Sequence, residues 1–167
     1  MPIYSETLKD DTILDLLENK YQNILIVGCG ACMNESLAFK YNYPLFIKDD
    51  YGNQISYAVF KELSRITKML NSVGYTATYE ILPESSNSRC MLNYGENLHI
   101  ISANFTPDAI LALCCPSGVY GIKSVVGNVP IIKITKQLGF LAYGYTDDMN
   151  GNRNIIKDKS KVIYNEE

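Results

Sequence analysis

Two uninterrupted apolar runs, each ending in a cysteine turn, constrain this chain more than any other feature. The first, Ile24-Leu25-Ile26-Val27, runs into Gly28-Cys29-Gly30-Ala31-Cys32. The second, Ala109-Ile110-Leu111-Ala112-Leu113, runs into Cys114-Cys115-Pro116-Ser117-Gly118. Short apolar runs without alternation mark strands covered on both faces, as in a parallel sheet. Residues spaced for helices follow each of them. Met33 to Phe39 reads as a short helix, and Ile55, Val59, Leu63, Ile66 and Leu70 recur along one face of a longer one. Thr76 to Leu82 and Val129 to Ile134 read as further strands, with a helix to about Val126 between the second cysteine turn and the last strand. Strands that alternate with helices pair in parallel through right-handed crossovers. The expected fold is α/β: a three-layer, Rossmann-like or flavodoxin-like domain with a mostly parallel sheet.

The 167 residues suit one domain. It divides into an N-terminal helix at about 7–21, an α/β core at about 22–142 and a polar tail at about 143–167. Tyr41 to Gln54 breaks the pattern as an aromatic, polar excursion with Asp49-Asp50-Tyr51-Gly52-Asn53 at its tip. Asn150-Gly151 predicts a C-terminal hairpin with a two-residue turn.

A net charge of −3 without a basic face argues against nucleic-acid binding. Lys157, Lys159 and Lys161 sit among Asp158 and other polar residues and read as a solvated tail. No stretch approaches the ~20 apolar residues that cross a bilayer, and Met1 to Glu6 lacks the order of a secretion signal. The expected compartment is therefore the cytoplasm, where thiols stay reduced. Five cysteines there point to metal, catalysis or packing before disulfides.

Cys29 and Cys32 form a C-x-x-C whose spacing lets both sulfurs face one ion, with Gly28 and Gly30 relaxing the turn. Further ligands would come from Cys90 and from Cys114 or Cys115. If the two apolar strands are neighbours, their turns meet and a tetrahedral thiolate site for zinc results. Two other readings stand beside it. A C-x-x-C opening a helix also suits thiol–disulfide exchange, because a helix amino end favours thiolates. Cysteine is also among the most buried residue types and can simply fill a core. With an open coordination position, zinc would instead activate a thiol or water for chemistry on a small molecule.

Weaker marks complete the survey. Gly28-Cys29-Gly30 begins like a dinucleotide turn, but Met33 stands where the third glycine belongs. Ser117 and Gly118 would present backbone N–H groups to an anion, which with Gly28 and Gly30 makes them candidate cofactor contacts. His99, alone in the chain and between apolar residues, reads as structural. Thirteen tyrosines offer a flat surface to a ligand, a partner or a second copy of the chain, although tyrosine spread over a sheet needs no such role.

Several segments together resemble a known family. They are Ile13-Leu14-Asp15-Leu16-Leu17, the strand and turn from Ile24 to Cys32, Ser88-Arg89-Cys90, Asp108 to Cys115, and Val129-Pro130-Ile131 with Gly139-Phe140-Leu141. The pattern resembles the cysteine-rich domain found with methylenetetrahydrofolate reductases of acetyl-CoA-pathway bacteria, over roughly residues 5–142. The resemblance implies zinc ligands at Cys29, Cys32, Cys90 and Cys115, with Cys114 where a small residue is usual. It also implies an accessory subunit docking on a folate-linked reductase or methyltransferase in one-carbon metabolism. Family members often carry later cysteines for iron–sulfur clusters. Residues 116–167 contain no cysteine, so electron relay is not expected here.

Overall fold

The computed structural model describes residues 1–82 and 106–166. Their elements run β1 (Ile3–Thr7), α1 (Asp10–Leu17), β2 (Asn23–Cys29), α2 (Cys32–Tyr41), β3 (Phe46–Lys48) and β4 (Gln54–Ser56). Next come α3 (Tyr57–Ser72), β5 (Thr76–Leu82), β6 (Ala109–Leu113) and α4 (Pro116–Lys123). The chain closes with β7 (Ile131–Lys133), β8 (Thr135–Asp147) and β9 (Arg153–Tyr164).

The fold is mixed α/β with two sheets. One is parallel throughout, in the order β5-β2-β6-β7. The apolar runs are its two central strands: Ile24 to Val27 and Ala109 to Leu113 are all buried, which explains why neither alternates. Their relative register is fixed at the open end. The Asp108 carboxylate accepts the backbone N–H groups of Gln22 and Asn23 at 3.0 and 2.8 Å, and Asp108 donates its own N–H to the Asn23 carbonyl at 2.8 Å. From that anchor Ile24 faces Ala109, and Gly28 faces Leu113. The two cysteine turns therefore leave the sheet side by side.

The backbone donors of Asn23 and Gln22 hold the Asp108 carboxyl below the usual carboxylate range. A group depressed on folding stabilises the fold above its ordinary pKa, and that stability is lost as pH falls through the depressed value. Asp108→Ala is expected to lower the melting temperature at neutral pH and to flatten the acid limb of the melting profile. Thermal melts from about pH 7 to about pH 2 check this. A variant whose profile parallels the parent would refute it.

α3 lies over β2 and β5, with Ala58, Val59, Leu63, Ile66 and Leu70 fully buried. Gly28 permits that approach. A Cβ there would sit 2.6 Å from Leu63 Cδ1 and 2.9 Å from Val59 Cγ2. Gly28→Ala is expected to cost about 1–3 kcal/mol by overpacking, read as a lower urea midpoint with an unchanged slope.

The second sheet, β1-β8-β9-β3-β4, departs from the mostly parallel expectation: each of its pairings is antiparallel. The C-terminal hairpin exists, but its strands are long and its loop is Asp148 to Asn152 rather than two residues. The cause is Asp148, whose Oδ1 accepts the N–H groups of Asn150 and Asn152 and holds a wider turn. Asp49 does the same for Tyr51 and Asn53 between β3 and β4. α2 packs against β1 and β9 of this sheet and against β2 of the other, and Met33 to Ala38 are all buried. Its polar side chains bridge to distant segments. Asn34 donates to the Leu45 carbonyl and accepts the Val59 N–H, each at 2.9 Å, while Ser36 Oγ accepts the Ser5 N–H at 3.1 Å.

Candidate metal centre

Cys29 is the last residue of β2, between two parallel neighbours. It pairs with Leu82 of β5, while the preceding Gly28 pairs with Leu113 of β6. The turn that follows is tied down on both sides. The Gly30 N–H donates to the Leu82 carbonyl at 2.9 Å, and the Gly30 carbonyl accepts Ser56 Oγ at 3.3 Å. The Ala31 N–H reaches Cys29 Sγ at 3.4 Å, so this sulfur already receives a donor suited to a thiolate. Cys32 then opens α2.

Across the β2–β6 pair, Cys114 and Cys115 follow Leu113 directly. They face different surroundings. Cys114 is fully buried, its thiol donating to the Val27 carbonyl at 3.5 Å and its own carbonyl accepting Thr135 Oγ1 at 2.7 Å. Cys115 is the residue before α4, in extended conformation, with Pro116 at the first helical position where a missing N–H costs nothing. Ser117 is exposed and Gly118 buried at the start of α4.

The electrostatics of Cys32 show which thiols share one space. Burial pushes its thiol up to about 12, against the pull of the Ile3 backbone. Cys29, Glu35 and Cys115 each raise it further by charge. Cys29 and Cys115, from the two turns, thus both act on Cys32. Cys90 and His99 lie outside the described residues. No disulfide links the four described cysteines. Among the described residues, no three histidine, cysteine or acidic side chains are already grouped around one ion position.

An attacking thiol in disulfide exchange works through a depressed pKa, so Cys32, displaced the other way, does not fill that role in the metal-free chain. Coordination to a metal ion would deprotonate it outright. In the metal-free protein, Cys32 is expected to react with iodoacetamide at neutral pH at least about 100-fold more slowly than an ordinary cysteine. Mass spectrometry of timed digests reads the rate, and reaction as fast as free cysteine would contradict the burial.

Sequence reasoning missed the contribution of the antiparallel sheet. The Tyr143 hydroxyl of β8 donates to Glu35 Oε1 at 2.8 Å, one helical turn beyond Cys32. Thr135 at the start of β8 holds the Cys114 carbonyl, and β1 brings the Ile3 backbone to the Cys32 thiol. The three-residue step from Cys32 to Glu35 was the one available signal, since it puts both on one helix face. Comparison with protein families, characterised proteins and solved structures finds no match to this chain.

Proposed function

We propose that this chain is an accessory zinc protein of tetrahydrofolate-linked one-carbon metabolism, holding one zinc ion at the carboxyl edge of a Rossmann-like or flavodoxin-like parallel sheet. Strand order supports the fold assignment. From β2 the chain adds β5 on one side and then β6 and β7 on the other, so its progress reverses between β2 and β6. In open α/β sheets ligands bind at such a reversal, beyond the carboxyl ends of the strands.

One observation carries the metal reading: the register that pairs Gly28 with Leu113 sets the two cysteine turns side by side, and both Cys29 and Cys115 bear on the Cys32 thiol. Cys90, eight residues beyond the end of β5, is the fourth ligand in this reading. Thiolates favour soft and borderline ions such as zinc over magnesium or calcium, and closure on the ion requires the three thiols to turn toward one point. Docking on a folate-linked reductase or methyltransferase subunit rests on the residue resemblance alone. Purification under reducing conditions followed by elemental analysis is expected to give close to one zinc per chain. Less than about a tenth of a zinc, with no rise in melting temperature on adding zinc, would end the proposal.

A further inference from the structure

Away from the cysteine turns, the end of α2 and the outer face of α3 enclose a groove of about 490 Å³. One wall is aromatic and includes Tyr41, Tyr43 and Phe60. The rings of Tyr41 and Tyr43 lie 5.7 Å apart at 31°, and Tyr57 meets Tyr43 edge-on at 86° and Phe60 at 42°, each at 6.4 Å. The other wall carries three cations beside the Glu62 carboxylate. Lys61, Arg65 and Lys68 fall on one face of α3 because helical neighbours recur every three or four residues.

The three cations are not equivalent. Arg65 is already committed: its guanidinium holds both oxygens of Asp10 at 3.0 and 2.9 Å and the buried Glu62 carboxylate at 2.6 Å. That clamp fixes the groove floor and leaves Arg65 little charge to offer. Lys61 and Lys68 are exposed and form no ion pair among the described residues. They stand two helical turns apart, roughly 10 Å along the axis. In a chain of net charge −3, two ammonium groups with no ion-pair partner among the described residues, beside an aromatic wall, select for an anion with a planar ring. The volume is that of a small-molecule site, typically about 300–1,000 Å³.

We propose that this groove binds a small aromatic anion, its ring against Tyr41, Tyr43 and Phe60 and its phosphate or carboxylate between Lys61 and Lys68. The site is separate from the cysteine turns and stands whether or not they hold zinc. The test is an amide-resolved NMR titration of the full chain with AMP, 1-naphthyl phosphate and 1-naphthoate, against adenosine and inorganic phosphate alone. At least one aromatic anion is expected to give saturable shifts centred on residues 41–43 and 60–68, with Kd below about 1 mM and at least tenfold tighter than either control. The phosphate and carboxylate probes distinguish the two anion sources. The double variant Lys61→Glu/Lys68→Glu is expected to weaken binding at least about tenfold with the rest of the spectrum unchanged. Absence of saturable groove shifts with all three probes at about 10 mM would overturn the proposal, as would binding that ignores the double variant.

Discussion

Cys115→Ser is expected to weaken zinc binding at least about 100-fold, while Cys114→Ser leaves it within a few-fold of the parent. The two residues are adjacent, yet the sheet treats them differently. Cys114 is fully buried and spends its thiol on the Val27 carbonyl, a neighbour on β2. A serine hydroxyl can make the same donation, so Cys114→Ser changes packing and leaves the ion alone. Cys115 stands at the mouth of α4 and adds its charge to the field at Cys32. Losing its sulfur removes one of few thiolates and replaces it with an oxygen that does not ionise at neutral pH. Competition against a chromophoric chelator under reducing conditions measures both variants. The reverse ranking would mean that Cys114 turns outward on metal binding and that the assignment of ligands is wrong.

The largest stability loss is expected from Gly139→Ala. An alanine Cβ at this point in β8 would lie 2.0 Å from the Ile163 carbonyl oxygen and 2.8 Å from the Tyr164 Cα. Both are backbone atoms of β9, so no rotamer change relieves the contact and the β8–β9 ladder must open. The contact at Gly28 differs, because there the obstacles are the ends of Leu63 and Val59 side chains. A cost of about 3 kcal/mol or more follows, which for a chain of this length lowers the melting temperature by roughly 6–12 °C. Hydrogen exchange should show the loss concentrated in β8 and β9. A shift under about 2 °C would mean that the hairpin register differs from the one described.

The parts of this fold that were legible in the sequence are those whose residues answer to one neighbourhood. β2 and β6 are apolar throughout because both faces are covered, and β5 and α3 carry periodicities because only one face of each is. The turn at Asp49 announces itself because the carboxylate, the glycine and the asparagine all act within five residues; at Asp148 the hairpin was legible but its width was not, because the Asn150-Gly151 signal does not count Asp148 in the turn. The second sheet was harder. Ile3 to Thr7 is a short, mostly polar strand whose partner lies far along the chain in β8, from Thr7 against Thr135 to Ile3 against Phe140. α2 is fully buried at Asn34, Glu35 and Ser36, which a composition-based reading sends to the surface; their partners are Leu45, Val59, Tyr143 and Ser5. Lys157, Lys159 and Lys161 are exposed, as a solvated segment requires, and their alternation is that of β9, the second strand of the C-terminal hairpin.

The cysteine turns were legible for a similar reason, since glycine, thiol and strand end fall together in each. Which of two adjacent thiols faces the shared space was implied only by resemblance, because orientation depends on where β2 lies beside β6. The Glu35–Tyr143 pair had no sequence signature on the β8 side.

In the proposed function, sulfurs carried by two neighbouring parallel turns meet on a single ion. X-ray absorption at the zinc edge of the purified chain reads that shell. A first shell of sulfur alone at about 2.3 Å is expected, with one sulfur fewer in Cys115→Ser and no change in Cys114→Ser. A shell dominated by nitrogen or oxygen, or one indifferent to the loss of Cys115, would contradict the proposal.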